Sequence, residues 1–354
     1  MPPPDPEPAR RRLPIARVVV VIGVVVLGVV LARRLDFARV LAALRQADGR
    51  LVALAALVNV TLNTVARVRR WAALLAALPR RGAGARFGEL ATLYFASQAA
   101  SNLLPARAGE ALRVVQLHRR HGYAVSGLIT VQLVETLIGG MTLGLLALVV
   151  APLPQTPASL SAALFTFSLG GLGGGLALFW LARRAPAPSA TEAPKAEARN
   201  EPIASPPSAA PRGVARLVAL GRGAVARLVE AVGHLRSPRV WAGAAVWSLA
   251  SDVTDVLMVG LVLTAVGVSL SPVGWIVAFV AINLVLILPT TPAQLGVLEM
   301  GAVAALRALG VDANAALAFA LLYHAAHVVP PTLVGGILML KLDLGRRGSD
   351  ETAA

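Results

Sequence analysis

Two short polar segments interrupt this very apolar chain, and they resemble each other. The first has the sequence NLLPARAGE at 102–110 and is followed by Arg113, and the second has the sequence LPTTPAQLGVLE at 288–299. Each places a proline four residues before a glycine, with a glutamate close behind. Such breaks are costly at membrane depth unless they line a protected cavity. Matched breaks in the two halves of a membrane protein therefore predict a substrate site between them.

The second segment has the residues of a helix start. Thr291 can cap a helix, Pro292 suits the first helical position, and Gln294 completes a Thr-x-x-Gln capping box. Pro105 could start a similar helix, with Glu110 in its early turns. A helix that begins at membrane depth presents free N–H groups and a positive dipole end, which favour an anion such as a lipid phosphate. The plainer alternative is a pair of kinks whose glycines allow tight packing.

Further ionisable residues fall inside apolar segments and are expected to face the interior, because charge that faces lipid is costly. They are Glu135, the pair Asp252 and Asp255, and the pair His324 and His327. The members of each pair are one helical turn apart. The aspartates either pair with arginines or serve transport, and the histidines form a polar lining or a proton-responsive site. No carboxylate–histidine motif accompanies the histidines, so neither a metal nor another cofactor is predicted.

The composition indicates an integral membrane protein. The hydrophobic fraction is 56%, and the mean hydropathy is +0.71. Cysteine is absent, which excludes disulfides and thiolate chemistry. The net charge of +15 comes from arginines in loops and at helix ends, so it predicts contact with anionic lipid and no nucleic-acid binding. Long apolar runs occupy 15–32, 51–66, 126–151, 159–182, 240–266 and 313–340.

The predicted fold is all-α: a polytopic bundle of about six crossing helices plus two re-entrant helical hairpins, arranged as an inverted repeat. A Pro- and Ala-rich segment separates the two membrane halves. The predicted parts are a disordered cytoplasmic N-terminus (1–14), a first half (15–182) with a hairpin near 87–122, a cytoplasmic linker (183–239) with a basic amphipathic helix at 212–236, a second half (240–341) with a hairpin near 273–309, and a cytoplasmic tail (342–354).

Loop charge predicts the orientation in a bacterial cytoplasmic membrane. Both basic termini and the linker should be cytoplasmic, and the uncharged connections at 152–158 and 267–272 should be external. With these sides fixed, the first hairpin must enter and leave from the cytoplasm and the second from outside. The arginine-rich stretch 33–50 disagrees with its external assignment. Either an amphipathic helix on the outer surface or a different topology for the first two helices would explain it.

The apolar run at 159–182 has one further feature that affects packing. Glycines cluster at 170–175. Small residues let membrane helices approach closely, so this helix is predicted to pack tightly on a neighbour.

Three segments together resemble the membrane domain of the lysylphosphatidylglycerol synthase family, also described as flippase-like proteins. They are RVRRWAALL at 67–75, NLLPARAGEALR at 102–113 and PTTPAQLGVLE at 289–299, within a resemblance from about 15 to 341. In full-length synthases this domain moves an aminoacylated phospholipid between leaflets, and a soluble C-terminal domain makes that lipid from aminoacyl-tRNA. The sequence ends at Ala354, so a lipid-translocating module without the synthase domain is expected. The family usually has a glycine pair where this chain has Ala293 and Gln294.

The predicted function is therefore movement of a phospholipid, anionic or aminoacylated, through a cavity between the hairpins. Phosphate would be held by Asn102, Arg107, Arg113 and the helix starts. Glu110, Glu135 and Glu299 would engage a cationic headgroup or pair with arginines. The candidate lipid-binding residues are Asn102, Pro105, Arg107, Gly109, Glu110, Arg113, Glu135, Asn283, Thr291, Pro292, Gly296, Glu299 and His324, and those at a cytoplasmic headgroup interface are Arg67, Arg70 and Trp71.

Two other functions fit the same sequence. The chain could be a non-catalytic partner of a separately encoded synthase or glycosyltransferase, with 212–236 as the docking surface. It could also be a membrane-embedded headgroup transferase that uses Glu110 and Glu299 as an acid–base pair. The transferase requires both glutamates within hydrogen-bond reach of one substrate.

Overall fold

Helices make up the computed structural model of the chain, which describes residues 36–80, 82–104, 108–184, 233, 235, 237–286 and 292–351. The predicted helix at 15–32 lies outside these residues, as does nearly all of the predicted helix at 212–236. The described helices are α1 (Phe37–Gln46), α2 (Gly49–Leu75), α3 (Phe87–Leu103), α4 (Ala108–His121), α5 (Val125–Val150), α6 (Ala158–Arg184), α7 (Pro238–Ala265), α8 (Pro272–Leu286), α9 (Val297–Ala308) and α10 (Ala313–Glu351).

Five of the described helices are long and apolar enough to cross a membrane. Each coincides with an apolar run in the sequence, which confirms the predicted all-α membrane fold. The five spans are Gly49–Leu75, Val125–Val150, Ala158–Leu181, Pro238–Ala265 and Ala313–Met339.

Two helical hairpins stand beside these spans. Helices α3 and α4 pack against each other on either side of 105–107, and α8 and α9 do so on either side of 287–291. The first hairpin also packs on α10 through α3, and the second packs on α10 through α9. Both hairpins lie where the sequence predicted them. Their re-entry into the membrane and the inverted repeat stay predictions.

The arginine-rich stretch before the first described span forms a short helix, α1, which packs on α10. Asp36 caps α1 by accepting hydrogen bonds from the backbone N–H groups of Ala38 and Arg39, and its own N–H donates to Asn314 Oδ1 at 3.0 Å. Asp312 caps the start of α10 in the same way. Backbone N–H donors, that of Ala315 foremost, hold the pKa of Asp312 below its usual range.

The glycine-rich helix α6 packs closely on α5, as predicted. A Cβ atom at Gly171 would collide with the carbonyl oxygen of Gly140, and one at Gly175 would collide with the Met141 side chain. Without side chains at these positions the two backbones come together, which is how membrane helices gain van der Waals contact.

Adding one methyl group at this contact is expected to separate the helices. We expect Gly171→Ala to lower the free energy of unfolding by about 1–3 kcal/mol, as overpacking does elsewhere. Gly173→Ala is the matched control because it adds the same group to the same helix where nothing lies within 4 Å. The control gains up to about 1 kcal/mol from helix propensity. Thermal unfolding in detergent should separate the two variants, and equal transition temperatures would contradict the packing argument.

Candidate functional site

A cavity of about 560 Å³ lies between helices α2, α3, α4, α5, α7, α8 and α10 and the 3₁₀ turn Pro292–Gln294. It is strongly polar because arginines and carboxylates from distant parts of the chain line it. The predicted lipid-binding residues on its wall are Asn102, Glu110, Arg113, Glu135 and Asn283. Arg67, Arg70, Asp252, Asp255 and His327 line it as well.

Glu135 serves two arginines on this wall. Arg70 donates from Nη2 to Glu135 Oε1 at 2.7 Å and from Nη1 to Ser248 Oγ at 3.1 Å. Arg113 Nη1 lies 3.8 Å from the other carboxylate oxygen, Oε2. The side chains of Arg70 and Glu135 are only 10% and 12% exposed, so their ion pair is buried. Glu135 thus faces the interior, as its position in an apolar span required.

A second ion pair joins α2 to α7. Arg67 Nη2 donates to Asp255 Oδ2 at 2.9 Å, and the Asn63 amide donates to Asp255 Oδ1. Asn63 also accepts from Arg67 Nε, which closes a three-residue network. Asn63 ends a π turn, Asn59–Asn63, inside α2. Such turns are frequent at functional sites because they rotate the following side chains relative to a regular helix.

The contacts of Arg67, Arg70 and Trp71 lie inside the protein, and their predicted position at a cytoplasmic headgroup interface stays a prediction. Arg70 and Trp71 are buried, at 9% and 4% exposure, and both arginines line the cavity. Counting charge along the sequence indicated only the cytoplasmic side for them. It could not show that Glu135 and Asp255, which lie far away in sequence, stand opposite them.

Arg113 is held in place by aromatic rings and a hydroxyl group. Its guanidinium lies 5.1 Å from the ring centres of both Trp71 and Tyr94, and its Nε donates to Ser97 Oγ at 2.7 Å. Gly109 makes this approach possible, since a Cβ there would collide with the Ser97 carbonyl oxygen. Gly109 therefore acts through packing, which is the plainer of the two interpretations of the glycine.

The other residues of the first hairpin fall into two groups. Glu110 lies in the first turn of α4, as predicted, and lines the cavity. The Asn102 amide donates to Thr332 Oγ1 at 2.8 Å and so ties α3 to α10. Pro105 and Arg107 lie outside the described residues.

The tip of the second hairpin differs from the predicted helix start. Ala293 and Gln294 adopt left-handed conformations, with φ values of 50° and 60°, and helix α9 begins only at Val297. The predicted Thr291–Gln294 capping box is therefore wrong, because a helix cannot continue through left-handed residues. Gly296, with φ of 81°, precedes the helix instead, and its N–H donates to Glu299 Oε2 at 2.7 Å.

These φ values bear on the departure from the family pattern at Ala293 and Gln294. The two left-handed positions are those where the resembled family usually has glycine, which adopts this conformation without steric penalty. Here Ala293 and Gln294 carry the penalty of a Cβ atom, and both line the cavity. Strained backbone of this kind is concentrated at functional sites.

Glu299 and His324 form a separate pair. His324 Nδ1 bonds to Glu299 Oε1, while the other oxygen holds Gly296. Gly109, Gly296, Glu299 and His324 are not among the described residues that line the cavity. Of the rest of this tip, Thr291 lies outside the described residues and Pro292 begins the 3₁₀ turn.

The polar face of α2 as a whole was not predicted from the sequence. Asn59, Asn63, Arg67 and Arg70 recur at intervals of four, four and three residues. That spacing places them on one helical face, so the signal was present inside the apolar run. Asn59 uses the same face to donate to the carbonyl oxygens of Ala326 and His327, at 3.1 and 2.9 Å.

An all-helical bundle whose crossing helices enclose a cavity lined with buried ion pairs defines a multi-pass membrane protein with a polar interior chamber. The chain belongs to the family described as lysylphosphatidylglycerol synthase TM region, whose family model matches residues 15–335. A search of curated proteins found no match. The family match spans both hairpins and every cavity residue, and it ties this membrane protein to lipid modification.

Proposed function

We propose that the protein moves a phospholipid headgroup between leaflets through the cavity. The observation that carries the proposal is a chamber of about 560 Å³ that presents fixed charges of both signs between two helical hairpins. This volume falls in the range of small-molecule sites, roughly 300–1,000 Å³. A headgroup fits such a space while its acyl chains stay in lipid.

The charges favour a headgroup that itself carries both signs. Three arginines line the cavity against four carboxylates, so the formal balance is 3 − 4 = −1 with every group ionised. A phosphate would bind at Arg113, whose contact with Glu135, at 3.8 Å, is longer than the carboxylate contacts of Arg67 and Arg70. An amine, such as that of an aminoacylated lipid, would bind at Glu110. The headgroup would thus form charge-assisted hydrogen bonds with the cavity wall at both of its ends.

Movement would come from the hairpins. The first hairpin contacts α10 through Asn102 and Thr332, and the second hairpin's 3₁₀ turn contacts α3. Separation of these contacts on one side at a time would expose the cavity to one leaflet and then the other, as in proteins whose halves rock about a central site. Two alternatives remain: a membrane partner of a separate synthase or glycosyltransferase, and a transferase. The transferase is less favoured because Glu110 lines the cavity whereas Glu299 is not among the described residues that do.

The test is lipid movement in liposomes that contain the purified protein. Fluorescent phosphatidylglycerol and lysyl-phosphatidylglycerol are the probes, and quenching from outside reports the fraction in each leaflet. We expect Glu110→Gln to slow movement about 10- to 100-fold, the effect of losing one charge-assisted hydrogen bond. Glu89→Gln is the matched control because Glu89 lies outside the cavity and bonds to His121.

Equal rates for wild type and Glu110→Gln would contradict a binding role for this residue. No movement of either probe by the folded wild-type protein would contradict translocation of these lipids. It would favour the partner function, which co-purification with synthases or glycosyltransferases would then examine.

A further inference from the structure

One buried oxygen of Asp252 is unsatisfied, a condition that no other carboxylate of the cavity shares within the described residues. The residue is only 8% exposed and lies on the cavity wall, one turn before Asp255 on α7. Within the described residues its Oδ2 atom has no hydrogen-bond partner. A buried carboxylate oxygen in this condition is unfavourable, since it has lost water without gaining a donor.

The neighbouring cations are engaged elsewhere. Arg67 bonds to Asp255, and Arg70 bonds to Glu135 and Ser248. Asp255 is satisfied by Arg67 and Asn63, but its negative charge remains close to Asp252. The charged and titratable groups that line the cavity around Asp252 are Asp255 on the same helix, Arg67 and Arg70 on α2, Tyr94 on α3, Glu110 and Arg113 on α4, Glu135 on α5 and His327 on α10.

We propose that Asp252 is the site at which the protein takes up a monovalent cation, H⁺ or Na⁺, from the cavity, and that this uptake drives headgroup movement. In the proton case a hydronium ion in the cavity water gives its proton to Oδ2: one O–H bond of the hydronium breaks, an O–H bond to Oδ2 forms, a water molecule is left, and the carboxylate becomes a neutral acid. In the sodium case further oxygens would come from the cavity wall, which Ser251 lines as well. Either cation removes the unsatisfied negative charge, and its release on the other side restores it.

The coupling half of this inference rests on the proposed lipid movement, but cation uptake itself can be measured without it. Infrared difference spectra of the purified protein distinguish a protonated carboxyl from a carboxylate. We expect a carboxylic acid band that appears as the pH falls, and we expect Asp252→Asn to remove one component of this band. For sodium, the carboxylate bands would shift on adding NaCl at fixed pH, again only when Asp252 is present.

Asp252→Glu and Ser251→Ala keep this test decisive. If Asp252→Asn does not fold, Asp252→Glu should move the band without removing it, which assigns the band equally well. Ser251→Ala should leave a proton band unchanged and weaken a sodium response. If the carboxylate bands assigned to Asp252 respond to neither pH nor sodium, the inference is overturned.

Transport then tests the coupling. In liposomes, an imposed gradient of the cation found by infrared should accelerate lipid movement by wild type, and the ratio of rates with and without the gradient should fall to unity in Asp252→Asn. Cation uptake without any lipid movement would contradict the proposed function and the coupling, yet leave the cation site standing. If the rate of lipid movement does not change with a gradient of H⁺ or of Na⁺, only the coupling is overturned.

Discussion

Replacing Glu135 with alanine is expected to lower the free energy of unfolding by about 3–5 kcal/mol, the usual result of removing one partner from a buried ion pair. Among the described residues, Arg70 would keep a full charge and Ser248 as its one hydrogen-bond partner. Its Nε already lacks a hydrogen-bond partner within the described residues, so no second acceptor is in place. Arg113 would lose its carboxylate as well, which adds to the unbalanced positive charge.

Chemical unfolding in detergent micelles, followed by circular dichroism, measures this change. Glu89→Ala is the matched control: Glu89 also contacts an arginine, Arg120 at 3.8 Å, and bonds to His121 at 2.9 Å, but its own side chain is 35% exposed. An exposed pair of this kind contributes up to about 1 kcal/mol. The double variant Arg70→Met with Glu135→Leu should recover much of the loss, because it removes both buried charges. Equal stability of Glu135→Ala and Glu89→Ala would contradict the role assigned to this pair.

The spans were predictable because hydropathy is a local property. A helix needs about 20 apolar residues to cross the bilayer. The run at 126–151 meets this requirement by its own composition, whatever the other segments of the chain are. The first hairpin was predictable for a similar reason: Pro105 and Gly109 interrupt an apolar stretch. The glycine contact between Gly171 and α5 followed from composition as well, since small residues cluster on the approaching helix.

The cavity was harder to predict because its contacts join distant parts of the chain. Arg67 and Asp255 are 188 residues apart, and Arg70 and Glu135 are 65 apart. Nothing in either local sequence specifies the partner. Charge at the end of an apolar run is equally consistent with a surface arginine and with a buried one, and only the opposing carboxylate decides between them.

The prediction for the second hairpin tip was wrong for a different physical reason. Thr291, Pro292 and Gln294 have the right residue types for a helix start, but residue type only biases the backbone. Ala293 and Gln294 are instead left-handed, at a penalty of about 1–2 kcal/mol each. Tertiary contacts must offset this penalty, and the contact between this turn and α3 is such a contact. Local propensity cannot reveal a conformation that packing imposes.

The two arginines that share Glu135 are expected to differ in role. Arg70 has a short, buried bond to this carboxylate, whereas Arg113 lies 3.8 Å from it and is positioned mainly by Ser97 and two aromatic rings. The carboxylate therefore keeps a partner when Arg113 is removed. Arg113 is the cation that a phosphate can reach without breaking a strong ion pair.

Arg113→Gln is accordingly expected to weaken lipid binding about 10- to 100-fold, the loss of one charge-assisted hydrogen bond, while changing stability by less than about 1.5 kcal/mol. Titration of the purified protein with fluorescent phosphatidylglycerol in micelles gives the affinity. Arg119→Gln, an exposed position on the same helix, is the matched control. Arg113→Lys should fall between the two because lysine keeps the charge but not the planar stacking on Trp71 and Tyr94. If Arg113→Gln binds lipid like Arg119→Gln, the phosphate site lies elsewhere in the cavity. If it unfolds as readily as Glu135→Ala, Arg113 supports the fold and the two arginines share one structural role.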